Sequence, residues 1–348
     1  MMKAAVVQEN RKLILADIDK PSITHPDDVL VKVKYSGVCG SDIPRVFHHG
    51  THFYPIVLGH EFCGIVEDFG ENVTEINKGD YVVCAPLLPC FHCPECEKGF
   101  YSLCKNYSFI GSRCNGANAE YVKMNKANAV KVSPDSVALH NTFIEPITVG
   151  LHAIHLAEGC ENKNVIIIGA GTIGLLAAQA AKALGAKTVS VIDINPDKLN
   201  LAKELGVDFV FNSAELDAEQ IYQQFEPYRF DQLLLETAGV PQTVELAIQI
   251  SGPKAQVALI GTLHNDLNLN QKVFGLILRR ELCILGSWMN YSKPWPGEEW
   301  NQAVNLVQQG KIQFEPLIAS INHLEDFIEE VKRLDGNAMN GKIMLKFD

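Results

Sequence analysis

An apolar run, Asn164 to Ile168 (NVIII), is followed at once by Gly169-Ala-Gly171-Thr172-Ile173-Gly174 and then by an Ala/Leu-rich stretch from Leu175 to Leu184. A short continuous apolar run reads as a strand covered on both faces, and the stretch after the glycines reads as a helix. In a strand–turn–helix of this kind the first glycine allows the tight turn. The second lets the backbone approach a pyrophosphate, and the third lets helix and strand pack closely. The helix start also offers free N–H groups and the positive end of its dipole. Asp193 lies nineteen residues beyond Gly174, at the end of the next apolar run. A carboxylate there accepts hydrogen bonds from ribose hydroxyls and repels a 2′-phosphate, which favours NAD over NADP. The plainer reading of Asp193 is a turn residue ahead of Pro196.

The same alternation continues. Val189–Ile192 reads as a second strand, Asn195 as a helix N-cap with Pro196 at the first helical position, and Gly206 as a C-terminal stop. Further strands are expected at Phe209–Phe211, Gln232–Leu235, Gln256–Ile260 and Leu282–Leu285. Strands alternating with helices predict a doubly wound parallel sheet of Rossmann type, and hence an α/β fold. Before residue 151 the texture differs: short β-rich pieces such as Leu30–Tyr35, Cys63–Val66 and Tyr81–Ala85 stand between turn residues. After residue 291, a helix near Glu298–Gln309, a strand near Leu317 and a last strand at Lys342–Lys346 read as a return to that first part. The expected order is a catalytic segment over 1–151, a nucleotide domain over 152–290 and a catalytic remainder over 291–348.

Cys90, Cys93, Cys96 and Cys104 form a C-x2-C-x2-C-x7-C array, with Pro89, Pro94 and Gly99 supplying turns. Four thiolates in so short a span suit a closed tetrahedral zinc site with a structural role. His92 lies inside the array as a competing ligand. No secretory signal is read at the N-terminus, so the ten cysteines of the chain point to metal or isolated thiols rather than a disulfide framework. A cytoplasmic protein is expected. The formal net charge of −11 argues against a nucleic-acid or membrane partner.

Three smaller motifs surround the array: Gly37-Val-Cys39-Gly-Ser41-Asp42, Gly59-His60-Glu61 and Glu145-Pro146. Singly, each has a bland reading as core or turn. In their order, around a four-cysteine loop and ahead of GAGTIG, they resemble the zinc-containing medium-chain alcohol and polyol dehydrogenases over essentially the whole chain. The resemblance implies a Rossmann domain inserted in a β-rich, GroES-like catalytic domain. It also implies two zinc ions per chain, one structural and one catalytic, the latter held by Cys39, His60 and Glu145. Glu61 would be a neighbouring or alternate ligand, and Asp42 would orient His60. A carboxylate as third ligand resembles the polyol branch.

Longer segments, among them YPIVLGHEFCG (54–64), PLLPCFHCPECEKGFYSLC (86–104) and LETAGVPQTVELA (235–247), narrow the resemblance to the members acting on galactitol 1-phosphate. That would make the reaction an NAD-linked oxidation to tagatose 6-phosphate. NGANAEY (115–121) and His48-His49 depart from the pattern, the first in loop packing and the second on a surface that could face phosphate. Ser41 is read either as the group passing a proton outward or as a backbone cap. Arg45 and Arg113, with Lys293 as an outsider, are read as phosphate donors or as solvated surface. Other substrates of the same chemistry are sorbitol, L-iditol, xylitol, butanediol and threonine. A non-catalytic nucleotide-binding module is the remote alternative. The family implies a homo-oligomer, most simply a dimer, with the Phe274–Gly286 strand region and Trp288 as a pairing edge or as plain core.

Overall fold

The computed structural model describes residues 1–348. It divides into two compact units, one of Met1–Glu145, Tyr291–Gln308 and Phe314–Asp348, the other of Pro146–Asn290 and Gln309–Gln313. No helix is long and apolar enough to cross a membrane.

In the second unit, six parallel strands form one sheet: Asn164–Ile168, Thr188–Asp193, Phe209–Asn212, Gln232–Glu236, Gln256–Leu259 and Cys283–Gly286. Numbered in that chain order they lie 3-2-1-4-5-6. The order reverses beside the first strand, and in such sheets that is where a ligand binds. All five residues of Asn164–Ile168 are buried, as a strand covered on both faces requires. The glycine turn leads into the helix Thr172–Ala183, which starts one turn earlier than the Ala/Leu pattern suggests. The helix Pro196–Glu204 starts as expected, with the Asn195 side chain accepting from the N–H groups of Asp197 and Lys198.

One expectation is corrected here. Gln271–Arg279 is a helix, so only Cys283–Gly286 of the Phe274–Gly286 region is strand. Asn270 caps that helix through the Val273 N–H. Val273, Leu276 and Ile277 pack at helical spacing against Val244 and Ile248, so a 3.6-residue period governs where an alternating one was read.

The first unit is β-rich. Met2–Glu9, Lys12–Ile18 and Ile56–Val57 make a three-stranded sheet, and seven strands make a larger one. At the centre of the larger sheet, Asp28–Gly37 pairs antiparallel with Glu61–Phe69 on one side and Lys342–Lys346 on the other. The tail strand Lys342–Lys346 lies where the sequence places it. The sequence reading left out the helix Leu324–Lys332 that precedes it. Its Leu324, Phe327, Ile328 and Val331 bury one face against Val7, Leu13 and Leu345.

Candidate metal and nucleotide sites

The sheet register assembles the first cluster. Gly37 ends its strand opposite Glu61, so Cys39, two residues on, arrives beside His60 and Glu61 at the start of the neighbouring strand. Gly59, at φ +99°, makes the turn before His60; a Cβ there would lie 2.4 Å from Asn118 Oδ1. Asn118 also accepts from Ser36 Oγ (2.8 Å), and Asn115 accepts from the Val57 N–H (3.0 Å). The departing NGANAEY segment thus buttresses the loop that presents His60.

The ligand atoms of Cys39, His60 and Glu61 lie within 4.8 Å of one another. His60 and Glu61 are buried. Glu145 is also buried, in the first turn of the helix Ile144–Leu156, and its charge reaches His60. Burial opposes a charged imidazole at His60, yet the neighbouring Cys39, Asp42 and Glu145 charges outweigh it and raise His60 to about 10. Such a surround favours a cation. His60 Nδ1 is buried with no hydrogen-bond partner, and sulfur, imidazole nitrogen and carboxylate oxygen together are a zinc donor set. The residues present therefore fit a zinc ion. Asp42 Oδ1 stands 3.8 Å from His60 Nδ1, too far for a hydrogen bond, and burial raises the Asp42 carboxyl.

Ser41 makes no capping bond to the helix Asp42–Phe47. Its hydroxyl instead lies 3.2 Å from Cys39 Sγ as donor and accepts from Arg45 Nη1 at 2.6 Å. Arg45 is engaged with Asp42 Oδ1 as well (3.3 Å). Arg113 is exposed, stacks over the Tyr107 ring and donates to its hydroxyl. Sequence reasoning missed His52, whose imidazole is pushed down by desolvation and by the positive charges of Arg113 and Arg45. One histidine thus senses both arginines, which no linear pattern announces. Lys293 lies elsewhere, over Gly99 in the cysteine loop.

In that loop the sulfurs of Cys90, Cys93, Cys96 and Cys104 lie within 4.8 Å of one another, and the Cys90 N–H donates to Cys104 Sγ (3.3 Å). Four sulfurs at that spacing fit a closed tetrahedral ion. The His92 ring is exposed, with Nδ1 2.5 Å from the Cys90 carbonyl, and stays outside the group.

The three glycines of the nucleotide turn serve three different needs. Gly169 has φ +103°, a conformation L side chains rarely adopt. At Gly174 a Cβ would lie 1.9 Å from the Gly169 carbonyl oxygen. At Gly171 a Cβ would meet no protein atom within 4 Å. Space kept clear at the N-cap of a helix, with no packing reason for it, fits a phosphate group. Asp193 closes the turn from the next strand, and Thr237 Oγ1 bonds to the Ile168 and Gly169 carbonyls at 2.9 and 3.1 Å.

Comparisons with known proteins place the chain in a family. Residues 25–134 match the family model described as an alcohol dehydrogenase GroES-like domain, and residues 172–309 match that of zinc-binding dehydrogenases. The chain is 55% identical over 344 residues to a galactitol 1-phosphate 5-dehydrogenase of Escherichia coli K12, covering 99% of each protein. It superposes on the crystal structure of galactitol-1-phosphate dehydrogenase from Escherichia coli with a TM-score of 0.98, covering 99% of this chain and 100% of that one at 55% identity. A sorbitol dehydrogenase of Bacillus subtilis 168 is 30% identical over 339 residues, covering 95% of this chain and 93% of the relative. The chain belongs to the zinc-dependent medium-chain alcohol dehydrogenase family, in its polyol dehydrogenase branch.

Proposed function

We propose that this chain oxidises a secondary alcohol of galactitol 1-phosphate to give tagatose 6-phosphate, with NAD as acceptor. The observation that carries the chemistry is the group of half-buried Cys39 with buried His60 and Glu61, with the Glu145 charge beside it. The phosphorylated substrate is supported by full-length likeness to relatives of that name.

Cys39, His60 and Glu145 would hold the catalytic zinc with Glu61 as alternate ligand, and Cys90, Cys93, Cys96 and Cys104 the structural one. A zinc ion so held supplies Lewis-acid polarisation of the substrate oxygen, and NAD supplies the hydride acceptor. The rest is done by the chain. Gly171 and the start of its helix receive the pyrophosphate, and Asp193 receives the adenosine ribose. Ser41 donates to Cys39 Sγ and so steadies sulfur charge. Arg45 is permanently charged and donates to Ser41, so it fixes that hydroxyl and takes no proton from it. A proton leaving through Ser41 therefore passes to solvent. Arg113 and Arg45, whose charges both reach His52, would be the cations that meet a substrate phosphate.

The chain acts in the cytoplasm as a homodimer on this reading. Cys283–Gly286 ends its sheet, and Ile284, Phe274, Leu278 and Trp288 are exposed near it in sequence, an apolar edge suited to a second copy.

The test is turnover against cofactor binding. Cys39→Ser, His60→Ala and Glu145→Gln should each abolish NADH formation while NAD still quenches protein fluorescence. Activity that survives all three changes would end the zinc reading.

A further inference from the structure

Lys342 carries an ammonium where lysines are seldom found. Its side chain is 4% exposed and that of Glu61 2%, and Nζ lies 2.5 Å from Glu61 Oε2. Its other bond is to the Val38 carbonyl, at 3.0 Å. In pairs such as Arg45–Asp42 and Lys123–Asp28 the more accessible side chain is 30% exposed, so this one is set apart.

The register explains how the pair forms. Gly37 stands between Glu61 on one neighbouring strand and Met344 on the other, and Lys342 projects two residues before Met344. A Cβ at Gly37 would lie 2.9 Å from Glu61 Oε2 and 3.3 Å from Lys342 Cδ. The missing side chain at Gly37 is what lets the lysine cross to the carboxylate. Lys342 Nζ thus stands within ion-pair distance of a carboxylate that belongs to the same cluster as Cys39 and His60.

We propose that Lys342 is a positioning residue for the metal site: it holds Glu61 by an ion pair and so keeps that carboxylate a yielding ligand, leaving a place at the metal for the substrate oxygen. The proposal rests on the zinc reading above. Glu61 belongs to the ligand cluster and to the ion pair at once, and a carboxylate divided between an ammonium and a metal binds each less firmly than one alone. Without the ammonium, a buried carboxylate beside a metal has no other strong partner, because an unpaired charge at that depth is costly.

The experiment uses the whole chain with cobalt(II) at the Cys39 site and zinc kept in the four-cysteine loop. It compares wild type, Lys342→Met, Lys342→Arg, Glu61→Gln and the Lys342→Met/Glu61→Gln double variant. Visible absorption and the rate of metal release to a chelator are read, with NAD binding as a check on folding. Lys342→Met should change the cobalt bands and slow release by about tenfold or more, the scale on which outer partners tune metal affinity. Lys342→Arg should restore the wild-type spectrum, and the double variant should match Glu61→Gln. A wild-type spectrum and release rate in Lys342→Met overturn the proposal. If Lys342→Met does not fold, the double variant and Glu61→Gln decide alone, and any difference between their spectra overturns it. Wild-type protein that takes up no metal at Cys39 would instead remove the zinc reading itself.

Discussion

Asp193 Oδ2 accepts a hydrogen bond from the Ala170 N–H at 2.6 Å, tying the end of one strand to the glycine turn that follows another. Its Oδ1 accepts from the Asn195 N–H at 2.9 Å. The carboxylate therefore shapes the turn and keeps further lone pairs for ribose hydroxyls. These bonds bear out the turn reading of Asp193, and the ribose contact is the reading proposed above. Asp193→Asn should raise the KM for NAD by about tenfold with little change in kcat, the scale of one lost charge-assisted bond. Use of NADP should improve relative to NAD. Initial rates with each cofactor measure both effects.

Gly171 and Gly174 should respond to alanine in opposite ways. At Gly174 the new methyl would fall 1.9 Å from the Gly169 oxygen, so the protein should lose at least about 1–3 kcal/mol in denaturant unfolding. At Gly171 the methyl meets nothing of the protein, so stability should hold while NAD affinity falls about tenfold or more. Equal stability losses in the two variants would refute the division of labour.

Cys104→Ser should remove one zinc per chain and leave the other. Metal analysis of the purified variant should fall from two ions to one, with a lower unfolding midpoint, because a structural zinc contributes directly to folding. Loss of both ions together would mean that the two sites are not independent.

Asp28 gives a prediction in pH. Four donors converge on its Oδ2: the Thr24 N–H and hydroxyl, the His25 N–H and the Lys123 ammonium, at 2.9 to 3.1 Å. Burial works against the charge, but the Thr24 backbone, Lys123 and His25 bring the carboxyl from 3.8 down to about 2. A depressed carboxylate stabilises the fold fully above its unfolded value and loses that contribution as pH falls through the folded value. The window is therefore about pH 4 down to 2, and the contribution at neutral pH is on the order of 2 kcal/mol. Asp28→Asn should cost about that much at pH 7, and the difference from wild type should shrink toward pH 2. A cost independent of pH would contradict the assignment.

Local spacing made much of this molecule legible. The glycine turn, the cysteine array, the Asn195 cap and the tail strand Lys342–Lys346 all depend on residues close in sequence. The Lys342–Glu61 pair joins residues 281 apart through two strand registers, and nothing local announces it. Ser41 carried two local readings, and its bonds to Cys39 and Arg45 follow neither fully. Phe274–Gly286 misled because an apolar run reads as strand or helix until its packing against Val244 and Ile248 sets the period. His52 within reach of two arginine charges is likewise a product of the fold.

The substrate is the central claim, and NADH formation followed by absorbance tests it most directly. Galactitol 1-phosphate, galactitol, sorbitol and xylitol would be compared at equal concentration with the zinc-loaded protein. The account expects kcat/KM for galactitol 1-phosphate to exceed that of each unphosphorylated polyol by at least about a hundredfold, the worth of a charge-paired phosphate, and to fall when Arg113 is replaced. Equal or better turnover of an unphosphorylated polyol would contradict it.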